Sequence, residues 1–171
     1  MDFGNSYGLV DTYLPQHIIA IRIMLAAVFG AMIGFEREIN TAGAGLRTHI
    51  LVSVAAALFT ILAFEIFHTI ETGEGETRAD PIRAVEAVTA GIAFLGAGAI
   101  FRSGGGVQGL TTGAGMWLAG AVGLASALGF YFIAFGVAAL AVVVMAALKA
   151  FAHRVLRHNV SEVPVGRGEK S

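Results

Sequence analysis

Five long, mainly apolar stretches limit this chain more than any other feature. They cover residues 18–35, 50–68, 82–101, 110–128 and 130–150. A bilayer core of about 30 Å needs roughly 20 mainly apolar residues in a helix, so each stretch is long enough to cross one. Composition agrees with that reading. Of the 171 residues, 56% are hydrophobic and only 13% charged, whereas a soluble domain carries about a quarter charged residues. A globule of this size has too much surface to hide the excess. The chain is therefore expected to be an all-α polytopic membrane protein with five transmembrane helices, surrounded by the lipid bilayer. Residues 1–17 read as a short external segment, and residues 151–171 as a short basic tail too polar to fold alone.

The connections sort by charge. Arg37 and Arg47 follow the first stretch, Arg102 follows the third, and Lys149, Arg154, Arg157, Arg167 and Lys170 lie at or beyond the end of the fifth. Eight of the eleven basic residues thus share one side. The other side carries Arg78 among Glu71, Glu74, Glu76 and Asp80. The positive-inside rule then predicts an external N-terminus and a cytoplasmic C-terminus. No Lys or Arg precedes Arg22, so the first stretch lacks the positive start of a cleaved signal and is expected to be retained.

Several function classes find no support. With no cysteine there is no disulfide, thiolate nucleophile or Cys-based metal site. A net charge of -1 and the lack of a basic, aromatic-studded stripe argue against nucleic acid. Nucleophile elbow, zinc-helix and dinucleotide signatures are missing, and the expectation is that the chain is not an enzyme.

Small residues mark packing faces. Ala26, Gly30 and Gly34 recur every four residues in the first stretch, and Gly115, Ala119, Gly123 and Ala127 do so in the fourth. The third is dense in them as well, with Gly91, Gly96 and Gly98. Such stripes let helices approach closely in lipid. They are also the surfaces at which a second membrane protein, or a second copy of the chain, could dock. The fifth stretch, uncharged until Lys149, is expected to face lipid, and Trp117, within the fourth, to pack rather than bind a cofactor.

Two polar groups stand out. Arg22, Glu65, Arg83 and Glu86 should lie at one depth near the external boundary, as a mutually neutralising cluster or the mouth of a cation path. One or two carboxylates can hold hydrated Mg²⁺, so Glu65 and Glu86 would suffice, although the two arginines would repel a dication. No other cofactor is indicated. On the opposite side lie Phe35-Glu36-Arg37-Glu38, Ala44-Gly45-Leu46-Arg47-Thr48-His49 and the turn from Arg102 through Gly104 and Gly105 to Thr112. Glycines there allow a sharp path whose N–H groups could cradle an anion, but no Walker loop is present. His49 has no second His at ligand spacing and reads as an interfacial residue beside Arg47. His153 and His158 read as facing lipid headgroups.

These blocks carry a resemblance. Arg22, Gly34-Phe35-Glu36-Arg37-Glu38, Ala44-Gly45-Leu46-Arg47-Thr48-His49, then Gly91-Ile92-Ala93-Phe94-Leu95-Gly96-Ala97-Gly98-Ala99-Ile100, Gly109-Leu110-Thr111-Thr112 and Trp117 resemble the MgtC/SapB family of membrane proteins. Ala93 stands in place of the usual glycine, Glu86 where glutamine is common, and Gly113 and Gly115 where alanine or another residue is expected. The resemblance implies a bacterial inner-membrane protein linked to magnesium limitation and, in some pathogens, to survival inside host cells. Some members act on other membrane machines, including the proton-translocating ATP synthase. Many relatives carry a further ACT-like domain, and the chain reads as a short form without it. Carried over as functional positions are Arg22, Glu36, Arg37, Arg47, Thr48, His49, Arg102 and Thr112, with Glu38 in the same motif. The expected function is magnesium homeostasis through regulation of another membrane protein. The alternatives are a cation transporter with Glu65 and Glu86 at its mouth, and a structural subunit.

Overall fold

A computed structural model describes residues 12–39, 43–71, 80–103 and 106–160. Five helices form: α1 (Gln16–Ile39), α2 (Leu46–Glu71), α3 (Pro81–Gly98), α4 (Leu110–Ala127) and α5 (Tyr131–Val160). Among the described residues, four helices are long and apolar enough to cross a membrane: α1, α2, α4 and α5. α3 folds where the third stretch was read but is not among those four. Its 18 residues include Arg83 and Glu86 beside many Ala and Gly residues, which lowers its apolar content.

Several boundaries move. The third stretch was expected to stay helical to Phe101, yet α3 stops at Gly98. The glycine-rich turn beyond it is ordered as β1 (Phe101–Ser103) and β2 (Gly106–Gln108). These strands pair antiparallel, with Phe101 opposite Gln108 and Arg102 opposite Val107. Gly104 and Gly105 lie outside the described residues, as do Arg78, Glu74, Glu76, Arg167 and Lys170. α5 runs on to Val160, so the basic tail expected from residue 151 begins as helix.

Local chemistry explains the ends. α3 opens with Asp80 as N-cap, whose Oδ1 accepts from the Ile82 N–H at 2.9 Å, and with Pro81 in its first turn; both are preferred start residues. α4 closes in a Schellman arrangement. The Phe130 N–H reaches the Ala125 carbonyl at 2.9 Å, the Gly129 N–H reaches Ser126 at 3.1 Å, and Gly129 sits at φ 86°. Only glycine takes that conformation without a steric penalty. The turn into α5 is therefore as tight as its sequence suggested.

α1, α2 and α4 form the centre of the bundle, with α2 and α4 running parallel and α1 opposed to both. α3 leans on α4 and, less, on α2, while α5 packs on α1 and α4. The buried core includes Ala26, Ile33, Ala57, Ala119 and Val122. α5 joins it through Ala134, Ala138 and Ala141, spaced to share one face. Its other face is open, with Phe132 94% exposed beside Ile133, Phe135, Val143 and Leu148. An open apolar face is what a lipid-facing α5, as the sequence predicts, would need. Trp117 is 49% exposed on the outside of α4.

Candidate functional site

The small-residue stripes meet on one segment of α2. A Cβ at Gly30 would lie 2.7 Å from Ser53 Cβ and 2.8 Å from the His49 carbonyl, and one at Gly34 would lie 2.9 Å from His49 Cβ. From the other side, a Cβ at Gly115 would lie 2.9 Å from His49 Nε2, and one at Gly123 would collide with the Ser53 backbone. α1 and α4 thus clamp α2 at His49 and Ser53. Ala26 and Ala119 are fully buried in the same layer. These stripes pack inside the protomer, which removes them as docking surfaces for a partner or a second copy.

The clamp encloses polar groups. His49 was expected at the interface and is instead 0% exposed; the reason is that Gly34 and Gly115 let two helices close over it. Its Nδ1 lies 2.9 Å from the Gly45 carbonyl. A carbonyl only accepts, so Nδ1 carries the proton of that bond. Nε2 is buried without a hydrogen-bond partner and faces Gly115. Ser53 Oγ donates to the Ala26 carbonyl at 2.7 Å, tying α2 to α1.

Around His49 the Arg37 end of the bundle is knitted by side chains. Arg37 Nη2 donates to Thr112 Oγ1 at 3.2 Å, joining the last turn of α1 to the first turn of α4, while Arg37 Nε is buried without a partner. Glu38 Oε2 accepts the Leu46 N–H at 3.0 Å and so caps α2. A Cβ at Gly45 would collide with the Glu38 carboxylate. Thr112 is buried, Thr48 and Glu36 are half-buried, and Arg47 and Arg102 are exposed. Arg37, Glu38, Thr112 and His49 are therefore gathered at one end, with Arg102 held apart on the hairpin. A buried polar atom without a partner costs about 1–3 kcal/mol. Two such atoms, on His49 and Arg37, lie at this end against one, Arg22 Nε, at the other, which makes this end the strongest candidate for a functional site among the described residues.

The opposite end is arranged differently from expectation. Arg22 Nη1 donates to the Ala127 carbonyl at 2.5 Å. The Schellman turn leaves that carbonyl unused, and the positive charge meets the negative end of α4. Glu65 accepts the backbone N–H groups of Tyr13 at 2.7 Å and Leu14 at 3.0 Å, and Tyr13 stacks on His68 with ring centroids 3.7 Å apart. Arg83 and Glu86 are exposed on α3. The partners of Arg22 and Glu65 are thus backbone groups rather than one another. Both Glu65 oxygens already accept N–H bonds, so Glu65 and Glu86 do not offer a prepared Mg²⁺ pair. Among the described residues no group of three His, Asp or Glu side chains could hold a metal ion.

Of the small residues on α3, Gly96 is buried against Gly113, whereas a Cβ at Gly91 or Gly98 would meet nothing within 4 Å. The sequence reading missed Ser53 and held Gly45 only as part of a motif block. The signal for Ser53 was its spacing: it follows His49 by four residues and so shares its face.

Residues 23–154 match the model of the MgtC family. The chain is 33% identical over 131 residues to an uncharacterized protein of Haemophilus influenzae, covering 75% of this chain and 55% of that one. It is 38% identical over 111 residues to YhiD of Escherichia coli K12, whose name proposes magnesium transport, covering 65% and 51%. It is 41% identical over 99 residues to the protein MgtC of Brucella abortus, covering 58% and 38%. The chain thus spans about half the length, or less, of these curated relatives. No solved structure matches it.

Proposed function

The chain belongs to the MgtC family, and from that premise we propose that this multi-pass membrane protein resides in the bacterial inner membrane and serves magnesium homeostasis by regulating another membrane protein. It does so without enzymatic activity of its own. All five helices span the bilayer, the Arg37 end faces the cytoplasm, and the N-terminus is external. The segregation of Arg37, Arg47 and Arg102 to one end supports that orientation.

One observation favours regulation over transport. The middle of the α1–α2–α4 bundle is close-packed, with Ala26, Ile33, Ala57, Ala119 and Val122 at or near zero exposure and the hydroxyls of Ser53, Thr60 and Ser126 buried on backbone carbonyls. A hydrated Mg²⁺ ion keeps several waters, and that packing leaves it no path between these helices. The charged side chains Arg22, Arg37 and Glu38 instead fix helix ends. With the small-residue stripes used internally, a regulated partner would meet the outer faces of α3 and α5. The second reading, direct Mg²⁺ transport, rests on the name of the Escherichia coli relative.

Two measurements on the same protein decide between them. A bacterial strain deleted for its own MgtC-family protein should regain growth in low Mg²⁺ with this chain, and lose it again with Arg37→Gln. Purified protein in proteoliposomes containing a Mg²⁺ dye should give no entry above empty vesicles. Saturable Mg²⁺ entry would overturn regulation in favour of transport.

A further inference from the structure

Among the described residues, His49 is the only titratable side chain that is fully buried. An unperturbed imidazole changes charge between about pH 5 and 8, so enclosing one in a helix bundle ties packing to protonation. With its Nδ1–H on the Gly45 carbonyl, the ring is neutral when Nε2 is bare and cationic when Nε2 carries a second proton. The packed bundle accommodates only the first form. Nε2 has no hydrogen-bond partner, and a Cβ built on Gly115 would sit 2.9 Å from it. A proton there would be an N–H without an acceptor and a charge without a counter-ion, both costly away from water.

The charges around the ring do not relieve that state. Arg37 on α1 is itself cationic and donates to Thr112, three residues before Gly115. Glu38 Oε2 is held by the Leu46 N–H. Glu36 follows Gly34 by two residues, about 200° around α1 from the face that covers the ring. On α2 the nearest charge, Arg47, is exposed, as is Arg102 on the hairpin. Arg83 and Glu86 stand in the first two turns of α3, at the opposite end. α4 and α5 contain no carboxylate.

Relief requires one helix to move, and the bonding shows which. α1 is fastened to α2 by the Ser53–Ala26 bond and by the Glu38 cap. Among the described residues, the side-chain tie on α4 at this end is the 3.2 Å bond from Arg37 to Thr112, and Nε2 faces α4. At its far end α4 is pinned by Arg22 on the Ala127 carbonyl. We propose that His49 is a proton-operated latch: the neutral ring lets α4 close on α2, and a proton taken from water onto Nε2 swings the Thr112 end of α4 away while the Ala127 end stays in place. The same proton returns to water when the helices close. The latch rests on the packing around His49, and not on magnesium homeostasis or on the orientation of the chain in the bilayer.

Spin-label pairs in this cysteine-free chain test it, with the purified protein in lipid nanodiscs. One pair is Leu51→Cys with Thr111→Cys, both exposed near the latch; the other is Ile66→Cys with Phe130→Cys, both exposed at the far end. As pH falls from about 8 to about 5, the first pair should separate and the second should hold its distance. The open-to-closed ratio should rise by up to about tenfold per pH unit, the slope of one proton. His49→Asn keeps a donor for the Gly45 carbonyl and cannot take the proton, so its first pair should stay closed throughout. A chain in which His49 is the only histidine, with His17, His68, His153 and His158 replaced by asparagine, should respond like the wild type. Its isotope-labelled ring should become charged, by nuclear magnetic resonance, over the pH range in which the pair separates. The latch is overturned if the first pair ignores pH, if it opens equally in His49→Asn, or if both pairs separate together, which is acid unfolding. A ring that charges while the pair stays closed overturns it as well.

Discussion

An alanine at position 115 would bring a methyl group to within 2.9 Å of His49 Nε2, with no solvent for the ring to move into. Overpacking of this kind costs about 1–3 kcal/mol. Gly115→Ala should therefore lower the unfolding temperature of the purified protein. Gly91→Ala, open on all sides, should leave it unchanged or raise it slightly through helix propensity, by up to about 1 kcal/mol. Equal effects from the two changes would show that the slot around His49 is looser than described. These glycines look alike in the sequence, since each sits in an apolar helix among small neighbours. Their difference comes from what faces them: an imidazole in one case and open space in the other. The same holds for His49, which a sequence reading leaves at the interface because nothing local reveals that two glycine-bearing helices close over it.

Between elements, Ser53 and Gly129 set the geometry. The Ser53 hydroxyl supplies the buried bond from α2 to the Ala26 carbonyl of α1. Interhelical bonds of this type in membrane proteins average about 0.6 kcal/mol and reach about 1.7. Gly129 stands at φ 86° in the α4–α5 turn, where a side chain costs about 1–2 kcal/mol. Gly129→Ala should thus destabilise the fold by as much as or more than Ser53→Ala in a denaturation series, although it removes no contact. Arg22 depends on that turn too, because the Ala127 carbonyl it binds is the one left free there. At the same end the two N–H bonds to Glu65 hold the segment at Tyr13 and Leu14 against α2. Helix-forming stretches and the tight turn were legible from apolar length and from Gly129. The β-hairpin after α3 was not, because Gly104, Gly105 and Gly106 give no alternating pattern to mark paired strands.

At the scale of the whole molecule, the three cytoplasm-assigned arginines lie at one end and the Glu65–Tyr13 contact at the other. With no native cysteine, single cysteines report orientation directly. Thr12→Cys should react with a membrane-impermeant maleimide added to intact spheroplasts, and Arg47→Cys and Arg102→Cys only after the membrane is opened. The reverse pattern would invert the proposed topology. Placing a cysteine at Asp80 extends the test to α3. Its labelling alongside Thr12→Cys would support α3 as a fifth span, and its protection would place α3 outside the bilayer.

The sequence by itself determined that this is an all-helical chain with several membrane-length helices, which of their faces are small, and which family it belongs to. Those properties are local or one-dimensional: apolar length follows from bilayer thickness, and small-residue stripes follow from helical repeat. Only the tertiary structure decided what the stripes grip and which partners the charges take. It turned the presumed docking stripes inward onto His49 and Ser53, sent Arg22 and Glu65 to backbone groups rather than to one another, and left Gly91 facing open space. The physical reason is that a charge or a glycine is satisfied by whichever group the packing brings opposite it. In this bundle those groups lie 27 residues away for Ser53 and 105 for Arg22.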